Sequence, residues 1–241
     1  MKKRLTRFLP FLLAFTIALP SYSVFAEEEN QAKETQTNET NKTQADETTA
    51  NDTLSLAAET AVLIDAASGE ILYDKDADKK MYPASITKLM TILLALENGK
   101  LTDEITFSHD AVYNIEPGSA HIAILEGETL TLEQVLRAII LRSANEASNG
   151  VAEYVDGSVE AFAKHMTERA KELGCTNTNF VNANGLFDEN HYTTAHDMAL
   201  IARELLKHEE YRSMMSETDY EIPPTNLQTA PNAEPQFHLL L

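Results

Sequence analysis

Ser85-Ile86-Thr87-Lys88 opens an apolar run, Leu89-Met90-Thr91-Ile92-Leu93-Leu94-Ala95-Leu96, that stops at Asn98-Gly99. The spacing predicts a helix from about Ser85 to Glu97, with the Asn-Gly pair as its terminator. Residues three apart share a helix face, so Lys88 reaches back toward Ser85. A serine hydroxyl is a poor nucleophile until a base takes its proton, and lysine is such a base only when burial strips its charge. Lys88 is the only charged residue between Lys80 and Glu97, which is the setting that burial requires. At the helix start, backbone N–H groups favour developing negative charge.

The second signal lies 58 residues on, at Ser143-Ala144-Asn145, where one helix is expected to end and another to begin. Ser143 can relay a proton between Lys88 and a leaving group, and Asn145 can bind a substrate amide or hold the lysine. Plainer readings compete. One chance S-x-x-K is expected in about every chain of this size, although this chain holds only one. A lysine can extend its tip to solvent, and Ser143 or Asn145 can cap the next helix. No G-x-S-x-G elbow is present. His191 and His196 lack an H-E-x-x-H or cysteine context, so loop packing and capping are expected of them rather than metal binding. No metal or other cofactor is implied.

Outward from these motifs, three segments differ in composition. Residues 1–26 carry Lys2, Lys3, Arg4 and Arg7 ahead of an apolar stretch from Phe8 to Leu19 and the sequence Val24-Phe25-Ala26. This reads as a secretory signal peptide, since about 20 apolar residues are needed to cross a bilayer. Residues 27–56 hold eight acidic and two basic side chains and no aromatic one. Such a stretch cannot bury enough surface to offset its ordering entropy and reads as a disordered polar spacer. Residues 57–241 are the expected folded part. The formal charge of −19 becomes −23 without the four leading cations, which excludes nucleic acid and anionic lipid as natural partners. The single Cys175 cannot form an internal disulfide and is expected as a buried small apolar residue.

Within 57–241, Ala61-Val62-Leu63-Ile64 and Ile71-Leu72-Tyr73 predict a two-stranded hairpin around Asp65 to Glu70. Thr102 to Glu128 reads as loop. Thr131 and Gln134 predict a capping box, with Leu132, Val135, Leu136, Ile139 and Ile140 on the inner face of the next helix. Further helices are expected over about 147–155, from Asp156-Gly157-Ser158 to Gly174, and after a second capping box at Thr194 and Asp197. Ile222 to Leu241, with four prolines, shows no periodicity.

With both motifs placed, the chain resembles the low-molecular-mass penicillin-binding proteins, the serine-type D-alanyl-D-alanine carboxypeptidases, from about Ala57 to Gln228. The resemblance is carried by the hairpin, Tyr82-Pro83-Ala84 before the serine, Glu126-Gly127-Glu128, Asn184-Gly185-Leu186, and Asp188-Glu189-Asn190-His191-Tyr192-Thr193-Thr194-Ala195. It implies an α+β fold, the penicillin-binding-protein/β-lactamase-like transpeptidase domain, with an antiparallel sheet beside a helical region. It implies removal of the terminal D-alanine from peptidoglycan stem peptides through a Ser85 acyl-enzyme, with Lys88 as general base, Ser143 as proton relay and Asn145 binding substrate. β-Lactams would acylate Ser85, and the protein would be secreted to the cell-wall side of the membrane, with no membrane association beyond the signal peptide. Family members continue into a K-T-G strand, whereas none of Lys164, Lys171 or Lys207 precedes Thr-Gly. The expected domain is therefore incomplete, with the C-terminal part of its sheet missing. A β-lactamase of related fold and an inactive secreted fragment are the alternatives. The first usually has Ser-Asp-Asn where this chain has Ser143-Ala144-Asn145.

Overall fold

A computed structural model describes residues 56–229. The predicted signal peptide, nearly all of the predicted spacer and the last twelve residues lie outside that range. The hairpin forms as expected, with β1 (Ala61–Ile64) antiparallel to β2 (Ile71–Lys75). Its turn is built by Asp65, whose carboxylate accepts the backbone N–H of Ala67 at 3.1 Å and of Ser68 at 2.7 Å, while Gly69 takes φ 81°. Arg203, from a later helix, donates to the carbonyls of Ala66 and Ala67, both at 2.8 Å, and ties this turn to the helical body.

Helices follow the apolar periodicities. They are α1 (Lys88–Asn98), α2 (His109–Tyr113), α3 (Leu132–Arg142), α4 (Asn145–Asp156), α5 (Val159–Glu172), α6 (Ala195–Leu205) and α7 (Glu209–Met214). Helix α4 is the hub, packed against α1, α2, α3 and α5. Every residue from Asn145 to Ala152 is buried, and Ala147, Ser148, Gly150 and Ala152 are small enough to let the neighbouring helices come close. Around it Met90, Leu93, Leu94, Leu132, Leu136, Phe107, Phe162 and Met166 form one continuous core. The Thr131–Gln134 capping box is present, and the inner face of α3 is the one read from spacing, with Ile140 only partly buried.

Several local readings are corrected. The stretch 102–128 contains β3 (Glu104–Thr106) and α2. A three-residue strand shows no period; β3 exists because it pairs with β4 (Thr129–Thr131), Ile105 opposite Leu130. The helix expected to begin at Ser85 starts instead as a 3-10 turn over Ala84–Thr87, and the α-helix proper begins at Lys88. Helix α4 begins two residues earlier than expected, at Asn145. The second capping box is only half made. Thr194 accepts from Asp197 N–H at 3.0 Å, but the Asp197 carboxylate turns to the backbone of Thr176 and Asn177 and to the Thr178 hydroxyl. The aperiodic segment after Ile222 is nonetheless docked. Thr225 and Gln228 donate to the buried Glu128 carboxylate at 2.7 and 2.9 Å, and Asn226 accepts from Thr129 N–H at 2.8 Å.

Gly150 marks a point of close packing in the helical core. A Cβ there would lie 2.3 Å from a Phe107 ring carbon, and Phe107 is fully buried. Helix propensity alone would favour alanine by about 1 kcal/mol, whereas overpacking a filled core costs about 1–3 kcal/mol. Gly150→Ala is therefore expected to lower the urea midpoint; a midpoint equal to or above the parent's would refute this packing.

Candidate active site

The 3-10 turn that carries Ser85 is shaped from outside. Ala84 adopts φ 47°, and Gly185, at φ 85°, lies so close that a Cβ would come within 1.8 Å of the Ala84 carbonyl oxygen. Glycine is required there on both counts, positive φ and close approach. The 182–186 loop is in turn held by its own asparagines. Asn182 Oδ1 accepts from Gly185 N–H at 2.7 Å, and Asn184 Oδ1 accepts from Leu186 N–H at 3.0 Å. Asn184 Nδ2 donates to Asn149 on α4 at 3.1 Å, and Thr91 on α1 donates to the Ala183 carbonyl at 2.6 Å.

His191 adds a second brace. Its Nδ1 accepts from Val181 N–H at 3.1 Å, so Nε2 carries the proton and donates to Thr87 Oγ1 at 2.7 Å. Burial pushes this imidazole down to about 4, with Asp188 opposing. His196 bonds Asp78 instead, so the two histidines do not converge.

The result is a buried amine. Lys88 is 4 % exposed, and its Nζ donates to Asn145 Oδ1 at 2.7 Å and to the Asn184 carbonyl at 2.6 Å, with Ser85 Oγ 3.3 Å away. Burial lowers its pKa to about 8, against the attraction of Glu146. Ser85 itself is exposed, so the nucleophile candidate faces solvent while its neighbour does not. Ser143 closes the group from the end of α3, where it adopts the left-handed φ of 55° and donates to Ser85 Oγ at 2.9 Å. Neither Ser143 nor Asn145 caps α4; the N-cap is Ala144 and has no side-chain bond.

All four residues singled out in the sequence are thus brought together. The Asn184 carbonyl, the Asn182 and Asn149 amides and the Thr87–His191 pair were not read from it. Asn182 and Asn184 stood in a turn-forming string and Asn184 and His191 in segments that carried the resemblance, while Asn149 carried no signal of its own. Cys175 is buried and donates weakly to the Asp197 carbonyl at 3.4 Å, its thiol pushed up to about 12 by burial and by Asp197. It stands apart from this chemistry.

The fold that carries these residues is shared with solved penicillin-binding proteins and carboxypeptidases. Penicillin binding protein 5 from Haemophilus influenzae superposes with a TM-score of 0.65 at 31 % identity, over 74 % of this chain and 52 % of that one. The D-alanyl-D-alanine carboxypeptidase DacD from Francisella tularensis gives 0.64 at 32 % identity, over 68 % and 41 %. The sequence model of peptidase family S11, D-alanyl-D-alanine carboxypeptidase, matches residues 43–232, and the chain belongs to that family. Among curated relatives, D-alanyl-D-alanine carboxypeptidase DacF of Bacillus subtilis is 43 % identical over 161 residues, covering 65 % of this chain and 41 % of that protein. DacA of Haemophilus influenzae is 33 % identical over 219 residues, covering 88 % and 51 %. The chain therefore spans about half or less of the length of these relatives.

The His191 brace has a consequence for acid stability. An unfolded imidazole titrates near 6.5 and the folded one near 4, so between these values the unfolded chain binds more protons. Stability should fall as pH drops from about 6.5 toward 4, by at most roughly 3 kcal/mol from this residue. Urea midpoints at pH 7 and 4.5 test it: His191→Gln should lose less between the two than the parent. An equal loss would show that His191 does not drive the acid sensitivity.

Proposed function

We propose that this chain carries the acylating serine–lysine site of a serine-type D-Ala-D-Ala carboxypeptidase, with Ser85 as nucleophile, Lys88 as general base, Ser143 as proton relay and Asn145 as a ligand of the lysine and of substrate. The observation that carries this reading is the set of partners around Lys88 Nζ. A neutral amine has two N–H bonds and one lone pair. Asn145 Oδ1 and the Asn184 carbonyl take the two N–H bonds at 2.7 and 2.6 Å, which turns the lone pair toward Ser85 Oγ at 3.3 Å. With the pKa at about 8, about a tenth of molecules hold that neutral form at pH 7. The remainder needs only one proton lost.

In this mechanism Lys88 removes the Ser85 hydroxyl proton as Oγ bonds to the carbonyl carbon between the two terminal D-alanines of a stem peptide. The oxyanion is held partly by the Ser85 backbone N–H. The proton passes from Lys88 through the Ser143 hydroxyl, 2.9 Å from Ser85 Oγ, to the departing D-alanine amine. Water then attacks the ester with Lys88 again as base. A β-lactam would acylate Ser85 in the same way and, with its leaving amine still tethered, would persist. The leading basic-apolar stretch supports secretion to the cell-wall side of the membrane. Among the described residues no helix is long and apolar enough to cross a membrane.

Incubation with benzylpenicillin followed by intact-mass analysis tests the reading. The chain should gain one penicilloyl group on Ser85, and Ser85→Ala should gain none. Lys88→Ala should acylate about 10²–10⁴-fold more slowly, the range that general bases supply. Because the neutral amine is the active form, the acylation rate should climb with pH to about 8 and then level. An adduct that survives Ser85→Ala, or a rate flat from pH 6 to 9, would overturn the assignment. Rapid turnover of a chromogenic cephalosporin would favour a β-lactamase instead.

A further inference from the structure

Glu128 immediately precedes β4 and is 1 % exposed. Its carboxylate is met by neutral donors from two segments. Oε2 accepts from Leu125 N–H at 2.8 Å, and Oε1 accepts from the Thr225 hydroxyl at 2.7 Å. The Gln228 amide donates to both oxygens, at 3.1 and 2.9 Å. Asn226 clamps the backbone on either side of Glu128, accepting from Thr129 N–H at 2.8 Å and donating to the Gly127 carbonyl at 2.9 Å. Keeping a carboxylate out of water is costly, and an apolar side chain of similar volume would serve cohesion as well. What the carboxylate adds is direction, since it joins residues 225–228 to the preceding loop at fixed atoms.

That loop leads to the site. Ala123 takes φ 60°, a strained value for a residue with a Cβ, which persists only where the surroundings impose it. Two ties bracket it: Leu125 N–H on Glu128, and Ile122 N–H on Glu146 Oε1 at 2.7 Å. Just before them, the Ala120 carbonyl accepts from Asn145 N–H at 2.9 Å. Asn145 is the first residue of α4, so its N–H has no acceptor within the helix. Its side chain is the ligand of Lys88 Nζ at 2.7 Å.

We propose that Glu128 is a positioning residue for the serine–lysine site, clasping residues 225–228 so that the 120–125 loop stays where Ala120 fixes Asn145 against Lys88. The inference rests on the reading of Lys88 as the base. A second route runs the same way. Phe107 donates its N–H to the Glu128 carbonyl at 2.9 Å and accepts from Gly127 N–H at 2.8 Å, and its ring packs on Gly150 of α4. Opening the clasp lets Ala123 relax, draws Ala120 from the start of α4 and loosens the hold of Asn145 on Nζ. The geometry of the amine thereby depends on a segment that begins 97 residues after Glu128.

The full chain carrying Thr225→Val with Gln228→Ala tests this, because it removes the donors of the clasp from a part-buried surface segment and leaves the core side chains in place. Amide hydrogen exchange read by NMR should show Asn145 N–H exchanging about tenfold faster, the scale of a hydrogen bond to a charged acceptor, with Met166 of α5 unchanged. With ¹³C at lysine Cε, the Lys88 midpoint, near pH 8 in the parent, should fall, because its ammonium loses an acceptor. Benzylpenicillin acylation at pH 9, where the amine is neutral in both chains, should slow about tenfold in its first-order step at unchanged initial affinity. Thr225→Ser, which keeps the hydroxyl, should match the parent in all three. Gln228→Ala alone, the milder change if the double variant does not fold, should show the same signs at smaller size. Unchanged Asn145 exchange or an unchanged Lys88 midpoint in the folded variant would overturn the proposal. Changes in both, in a chain whose parent is not acylated at any pH, would leave the positioning standing and remove the catalytic reading.

Discussion

A lysine ammonium held almost free of solvent constrains the rest of this structure. Moving an unpaired charge out of water is so costly that the group either finds partners or loses its proton. Lys88 does both in part. Two short bonds from Nζ tie it to α4 and to the 182–186 loop, and desolvation brings its pKa within reach of neutrality. Each of those partners must itself be held still. Hence Asn145 begins a wholly buried helix turn, and Asn184 is fastened by Asn149 and by the turn that Asn182 nucleates.

The same constraint explains the position of the less obvious residues. Gly185 lets the asparagine loop lie against the Ala84 carbonyl at a distance no Cβ would allow. Thr91 and Thr87, one turn apart on α1 and its leading 3-10 turn, fasten that loop at Ala183 and, through His191, at Val181. These are neutral hydrogen bonds in a dry setting, where they are strong when made and costly when broken. They place rigidity around the amine while Ser85 and its surroundings stay open to solvent.

Much of the scaffold was legible from spacing because burial on one face imposes a period on a helix. The inner face of α3 follows from it directly, while turn and capping residues marked the hairpin, bounded by Asp65 and Gly69, and the Thr131 capping box. Elements without a period were not legible. Strand β3 is three residues long and exists by pairing with β4, some 25 residues distant in sequence. Asp197 carried the pattern of a capping box, but the backbone N–H groups of Thr176 and Asn177 compete for its carboxylate and hold it. The docking of Thr225 and Gln228 on Glu128 leaves no local trace either, since each residue type is ordinary in a loop.

For the site, the chain alone determined that Ser85 and Lys88 share a helix face and that Lys88 sits among apolar neighbours, because both are consequences of local spacing. It also marked Ser143 and Asn145 as polar residues at a break between helices. What only the folded molecule decided is which atoms meet: the Asn145 amide oxygen and the Asn184 carbonyl on Nζ, and the Ser143 hydroxyl on Ser85 Oγ. Those meetings join segments 57 to 96 residues apart in sequence. Their distances are set by how α1, α3, α4 and one asparagine loop pack, and packing is a property of the whole core rather than of any window of residues.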